Sequence, residues 1–95
     1  MAMTYDYDSE KIRKAARRVH KLSVSLDDEV VGNAHRLMAE ADQLQGKAAR
    51  AMLDRLEELE RASRKICTEL DDIGDDLNRY ARAIEAVSEK LLSEV

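Results

Sequence analysis

One short interruption, Leu44-Gln45-Gly46, separates two long helical patterns near the midpoint of 95 residues, and it confines this chain to a hairpin. Before it, apolar or small residues recur at Ile12, Ala16, Val19, Ser23, Leu26, Val30, Ala34, Leu37, Ala41 and Leu44 in steps of three and four. That is the period of a helix and not of a strand. After it, Met52, Leu56, Leu59, Ser63, Ile66, Leu70, Ile73, Leu77, Tyr80, Ile84, Val87 and Leu91 alternate steps of four and three, a sustained heptad seam. The predicted fold is all-α: an antiparallel two-helix hairpin forming a single domain over 1–95, with helices over about 9–42 and 47–93 and a turn at 43–46.

Local signals refine those bounds. Asp8-Ser9-Glu10 can open a helix, since an Asp side chain accepts free N–H groups of the first turn and Glu10 complements its positive end. Met1 to Tyr7 has no period and is expected to fray. Gly32-Asn33 could form a turn splitting the first helix, because Gly costs a helix about 1 kcal/mol relative to Ala. The stripe argues against it: Val30, Ala34 and Leu37 keep phase across Gly32, as Ile73 and Leu77 do across Gly74. Helices of about 50 Å and 70 Å result, and neither is stable in water without packing its stripe.

Composition fits that picture and excludes others. Phe, Trp and Pro are absent, and 38% of residues are charged with both signs abundant, the profile of long helices or coiled coils. A net charge of -4 gives no global attraction to polyanions. The single Cys67 excludes an internal disulfide. No apolar run reaches bilayer length, and the first residues lack the basic start and apolar stretch of a cleavable secretory signal. Membrane insertion and general secretory export are therefore not expected.

Charge supplies a register. With the chain reversing at 43–46, residue i falls opposite about 89 minus i. The basic run Lys11, Arg13, Lys14, Arg17, Arg18, Lys21 then meets Glu69, Asp71, Asp72, Asp75 and Asp76. Asp27, Asp28 and Glu29 meet Arg61, Arg64 and Lys65, and Glu40 and Asp42 meet Lys47 and Arg50. Exposed pairs of this kind add little stability, yet they oppose parallel or shifted pairings. The basic run thus reads as a compensated flank rather than as a nucleic-acid patch.

The same register leaves Ile84, Val87, Leu91, Leu92 and Val95 uncovered, and a second apolar line at Val24, Val31 and Met38 is rotated away from the main stripe. Two helices bury one stripe each, so these residues are expected to form a partner interface that completes a four-helix bundle. Val24, Val31, Met38, Ile84, Val87 and Leu91 are the candidate contacts. The alternative is that they widen the intramolecular seam.

Catalytic, cofactor and metal sites are not expected. His20 and His35 belong to no His-Glu-x-x-His or Cys-x-x-Cys pattern, and no Gly-rich phosphate loop exists. Asp71, Asp72, Asp75 and Asp76 read as a solvated, Arg-paired face rather than as a cation site. Cys67 reads as a small hydrophobe at the edge of the seam.

A chain of this size with an apolar-x-Gly turn between two long helices resembles the WXG family of small proteins handled by type VII (ESX) secretion systems. Leu44-Gln45-Gly46 occupies the place of that family's Trp-x-Gly turn, and Lys47-Ala48-Ala49-Arg50-Ala51-Met52 is similar to its Ala-rich second-helix start. Leu44 in place of Trp is closer to the Leu-x-Gly (LXG) toxins and their small helical partners. The family's tail signature, an aromatic followed four residues later by Asp or Glu, is not met, since Tyr80 is followed at that spacing by Ile84. The resemblance implies a homodimer or heterodimer of hairpins, a secreted protein or a targeting partner of an LXG-type toxin. It also implies synthesis in the cytoplasm, export by a route without a signal peptide, and a secretion ATPase as a further partner.

At the turn, Gly46 is expected to supply a backbone conformation or a close approach that other residues cannot, with Leu44 plugging the end of the helix pair. The rival reading is a generic cytosolic coiled-coil adaptor, spectrin-like or antitoxin-type.

Overall fold

The structure is a computed structural model that describes the backbone of residues 2–93 and the side chains of residues 8–93. Among the described residues all regular structure is helical. Helix α1 spans Ala2–Leu26, a π turn is next at Asp27–Val31, α2 spans Gly32–Asp42 and α3 spans Lys47–Ser93. Two helices result, the first built of α1, the π turn and α2. Helix α1 begins at Ala2 rather than at Ser9, so the expected fray is not found from Ala2 onward. No Gly or Pro lies between Ala2 and Asp8 to break it. Met1 and Val95 lie outside the described residues.

Gly32-Asn33 forms no turn, for Gly32 is helical at φ -61° and ψ -43°. The apolar period gives no warning of the π turn just before it. There the Gly32 N–H donates to the Asp27 carbonyl, five residues back. The Asn33 side-chain amide donates to the Glu29 carbonyl within the same turn. Such a turn adds one residue without adding to the helix period, so α2 is rotated by about 100° relative to an unbroken helix.

After α2 the chain tightens. The Gln43 N–H donates to the Glu40 carbonyl at 3.2 Å and the Leu44 N–H to the Ala41 carbonyl at 3.0 Å, the i to i-3 closure common at helix ends. Gly46 then takes φ +108°, the one positive φ among the described residues, and its carbonyl accepts the Arg50 N–H at 3.3 Å to open α3. An added Cβ at Gly46 would meet nothing within 4 Å. Conformation, not close approach, is what this position needs.

The chain divides into two compact units, Met1–Lys21 with Leu70–Val95, and Leu22–Glu69. In the first, the terminal unit, Ser9 and Ala16 of α1 and Gly74, Ala81 and Ser88 of α3 are buried, with Ile12, Leu70, Leu77 and Ile84 half-buried. Arg13 grips Glu85 through two hydrogen bonds, Nε at 2.8 Å and Nη2 at 2.7 Å. His20 stands with Nδ1 3.3 Å from Asp71 and Nε2 3.5 Å from Asp75. The second, the turn unit, buries Ser23, Val31, Ala34, Ala41, Ala49 and Ser63, with Met38, Leu53, Leu56 and Cys67 half-buried. Ser23 Oγ donates to the Cys67 carbonyl at 3.2 Å, and Cys67 Sγ returns a bond to the Ser23 carbonyl at 3.4 Å. In each unit, partners on α3 fall in number as those before the turn rise, so the helices pair antiparallel.

These contacts correct the expected register. Ser23 and Cys67 fall near it, and the acidic run meets α1 at His20, but Arg13 reaches Glu85 instead of Asp75 or Asp76. Helical side chains lean toward their own N-terminus, which carries a long Arg on α1 toward the far end of α3. Ile84 is consequently half-buried beside the first helix rather than left beyond it.

Candidate partner interface

Small residues hold the two helices together. On α3 the inward positions are Ala49, Leu53, Leu56, Glu60, Ser63 and Cys67 in the turn unit and Leu70, Gly74, Leu77, Ala81, Ile84 and Ser88 in the terminal unit. Steps of four and three persist, as in the predicted seam, but seven of its twelve members differ. Leu56, Ser63, Leu70, Leu77 and Ile84 are shared. Met52, Leu59, Ile66, Ile73, Tyr80, Val87 and Leu91, predicted as seam residues, are exposed. The buried members on α3 are Ala, Ser and Gly, with Leu53, Leu56, Leu70, Leu77 and Ile84 half-buried between them, while the other large apolar residues are left outside.

Which side those large residues take is set by helix geometry. In an antiparallel pair, the residue just before an inward position projects to the same side on both helices. In the turn unit these are Leu22 and Leu37 before the turn and Met52, Leu59 and Ile66 on α3. In the terminal unit they include Ala15, Ile73, Tyr80 and Val87, with Lys11 and Asp76 beside them and Glu69 at that unit's edge, just before Leu70. The residues just after inward positions fall on the opposite side. They are Arg17, Asp75, Arg82 and Glu89 in the terminal unit and Arg50, Asp54, Arg61 and Thr68 in the turn unit, with Val24 the apolar exception. Each unit therefore carries its exposed large apolar residues on one side, the apolar side, where charges such as Arg55 and Asp76 flank them, and an almost wholly polar set on the other, the charged side.

Ion pairs mark the charged side. Glu60 accepts from His35 Nε2 at 2.9 Å and from Arg64 Nη2 at 2.8 Å. The His35 hydrogen bond, against the opposing effect of burial and with help from the Arg64 charge, holds the Glu60 carboxyl below the usual carboxylate range. Glu85 is lowered in the same way by the Arg13 hydrogen bond, which in turn raises Arg13.

The residues predicted as partner contacts divide. Val24, Val87 and Leu91 are exposed, but Val24 lies on the charged side. Ile84 and Met38 are half-buried, and Val31 is 4% exposed, inside the turn unit's own seam. The π turn explains this correction: past it, Val31 and Met38 rotate away from the line of Val24 and into the seam. Leu44 is 60% exposed and does not plug the helix pair, while Gln45 and Gly46 are exposed with it. A stripe of small residues repeating every seven positions was the signal for the true seam, and large apolar residues outweighed it.

Among the described residues no group of three or more His, Cys, Asp or Glu could hold a metal ion, and no helix is long and apolar enough to cross a membrane. A family model described as WXG100, proteins of 100 residues with WXG, matches residues 4–88. No curated protein and no solved structure matches the chain.

Proposed function

We propose that this chain, which belongs to the WXG100 family, works by docking its apolar side on a second helical hairpin, a second copy of itself, to complete a four-helix bundle. Proteins of this family are small helical proteins associated with type VII secretion, generally non-enzymatic. They typically dimerise with helical partners and leave the cell without a signal peptide. The observation that carries the reading is the exposed apolar row in each unit: Ile73, Tyr80 and Val87 in the terminal one, Met52, Leu59 and Ile66 in the turn one. Covering a side chain of this size contributes about 1.5 to 3 kcal/mol, far more than the small-residue seam obtains per position.

Charge favours an identical partner. His20 touches both Asp71 and Asp75, so the basic run of α1 and the acidic run of α3 lie level within one unit. A copy related by a two-fold axis along the helices sets Lys11 and Arg18, the members of its basic run on the apolar side, against Glu69 and Asp76 of the first copy's acidic run. A second reading, a heterodimer with the helical hairpin of an LXG-type effector, is favoured by Ile84, which stands where the family's tail signature has an acid. In that reading the effector supplies the export signal, and the protein is its targeting partner.

Sedimentation equilibrium over a dilution series tests the proposal. The wild type is expected to be a dimer and Ile73→Glu a helical monomer. A wild type that is fully helical and monomeric at micromolar concentration would overturn the bundle.

A further inference from the structure

The π turn at Asp27–Val31 bears on which residues of α2 a partner meets. From the π turn through α2 and just past it, the sequence carries two apolar lines that share Ala34 and Ala41: Val30, Leu37 and Leu44 on one, Val31 and Met38 on the other. Continuous α-helix from α1 would turn the first line inward, because it continues the period of Ala16 and Ser23 across residue 30. The structure turns the second line inward instead. Val31 is 4% exposed and Met38 half-buried, while Leu37 and Leu44 stand 45% and 60% exposed. The cause lies in the hydrogen bonding between the lines' origins, where Gly32 N–H reaches back five residues to Asp27 and the Asn33 amide closes on Glu29. One inserted residue has exchanged the two lines.

We propose that the π turn is a phase setter for docking: it commits Val31 and Met38 to the hairpin's own seam and assigns Leu37 to the surface that receives a second copy. The inference rests on the proposed dimer for its docking part only. Leu37 is on the same side of the turn unit as Leu22, Met52 and Leu59, so past the π turn the first helix keeps contributing an anchor to the apolar surface that it shares with α3. The charges that flank the apolar side, Lys11 and Arg18 on α1 and Glu69 and Asp76 on α3, are of opposite sign, and this complementarity commits the occupant to a second copy rather than to an unrelated helix. An LXG-type hairpin is the alternative occupant that the measurements separate.

Three variants of the full chain test this. Leu37→Glu is expected to keep the helical content and melting temperature of the wild type measured as a monomer, and to weaken self-association at least tenfold. Met38→Glu, one residue on, is expected to unfold the hairpin or lower its melting temperature strongly. Deleting Asp28 removes the inserted residue while preserving the phase of α2, so it is expected to leave the fold cooperative with a melting temperature close to that of wild type and the self-association constant within threefold. In an unbroken α-helix the same deletion would rotate α2 by about 100° and ruin the seam. Loss of fold on deleting Asp28, or a hairpin damaged by Leu37→Glu and indifferent to Met38→Glu, would overturn the phase assignment.

The failure of the dimer is separately visible. Ile73→Glu, in the other unit, reports on association alone. A monomeric wild type refutes the docking assignment of Leu37, while the Met38 and Asp28 variants still read the phase in the monomer. Self-association lost in Ile73→Glu but unchanged in Leu37→Glu would place docking elsewhere and overturn the role given to Leu37.

Discussion

The His20 imidazole lies against the bare Cα of Gly74, where an added Cβ would stand 2.5 Å from Nε2 and 2.7 Å from Cε1. Its two nitrogens face Asp71 and Asp75, on either side of that glycine on α3. Gly74 is therefore no weak point of a long helix but the seat of a side chain from the other helix. Helix propensity alone would prefer Ala there; the ring requires Gly.

Two effects of opposite sign meet at this position, and their separation is a prediction. In a His20→Ala background, Gly74→Ala should stabilise the protein by about 1 kcal/mol, the ordinary helix preference for Ala over Gly. With His20 present the methyl displaces the ring from both carboxylates, so the gain should vanish or reverse. A double-mutant cycle in urea should give a coupling of about 1 kcal/mol or more, as residues in direct contact do. Additive effects would show that the ring and the glycine do not share this space.

The turn makes a second prediction. Gly46 holds φ +108° with open space around it, so any side chain is strained there by backbone conformation alone. Gly46→Val should cost about 1 to 3 kcal/mol. Lys47→Ala, in the exposed first turn of α3, should stay within about 0.5 kcal/mol of wild type. Leu44→Ala should be as mild for the isolated hairpin, because Leu44 plugs nothing within it. Thermal melts of the three variants distinguish this from a turn held by an apolar plug, in which Leu44→Ala would be the damaging change.

Element type and the break at 43–46 were legible because the apolar period is long and interrupted once. The facing surface was not, because a seven-residue repeat fixes how often a helix returns to its partner but not which of two adjacent lines it uses. Leu56, Leu70 and Leu77 serve either choice. What decides is the burial of Ser63, Gly74, Ala81 and Ser88 and the pairing of Cys67 with Ser23, and small residues weigh little when apolar size is the guide. The π turn was illegible for a related reason: the doublet Val30-Val31 satisfies the period in either phase. Ordinary side-chain lean explains the rest of the difference, since Arg13 passes over Asp76 to reach Glu85.

Acid should loosen both units. Glu85 and Glu60 have carboxyl groups held below the usual range, by Arg13 and by His35 respectively. A carboxyl with a lower pKa folded than unfolded binds fewer protons in the native state, so stability rises with pH between the two values. The contribution is complete above the ordinary Glu value of about 4.3 and is lost as pH falls through the depressed folded values. Urea midpoints should therefore be flat with respect to these groups above about pH 5 and fall below about pH 4.3. Glu85→Gln should lower stability at neutral pH and shrink the acid-side drop. An unchanged drop in that variant would remove the Arg13 pair from the explanation.

Ser88 offers the last and sharpest test of the small-residue seam. It is 2% exposed, and its Oγ has no hydrogen-bond partner among the described residues. A buried hydroxyl without a partner costs about 1 to 3 kcal/mol on the scale of protein mutations, and Ala is also the better helix former. Ser88→Ala should therefore raise the urea midpoint by an amount equivalent to about 1 kcal/mol, with no change in slope. Ser88→Val keeps the side chain apolar but adds volume where two backbones are close, and it should cost about 1 to 3 kcal/mol by overpacking. If size did not matter at this position, both variants would stabilise. A gain for Ala together with a loss for Val is the signature of a seam packed tightly around small residues such as Ser88 and Ala81, with Ile73, Tyr80 and Val87 left for a partner.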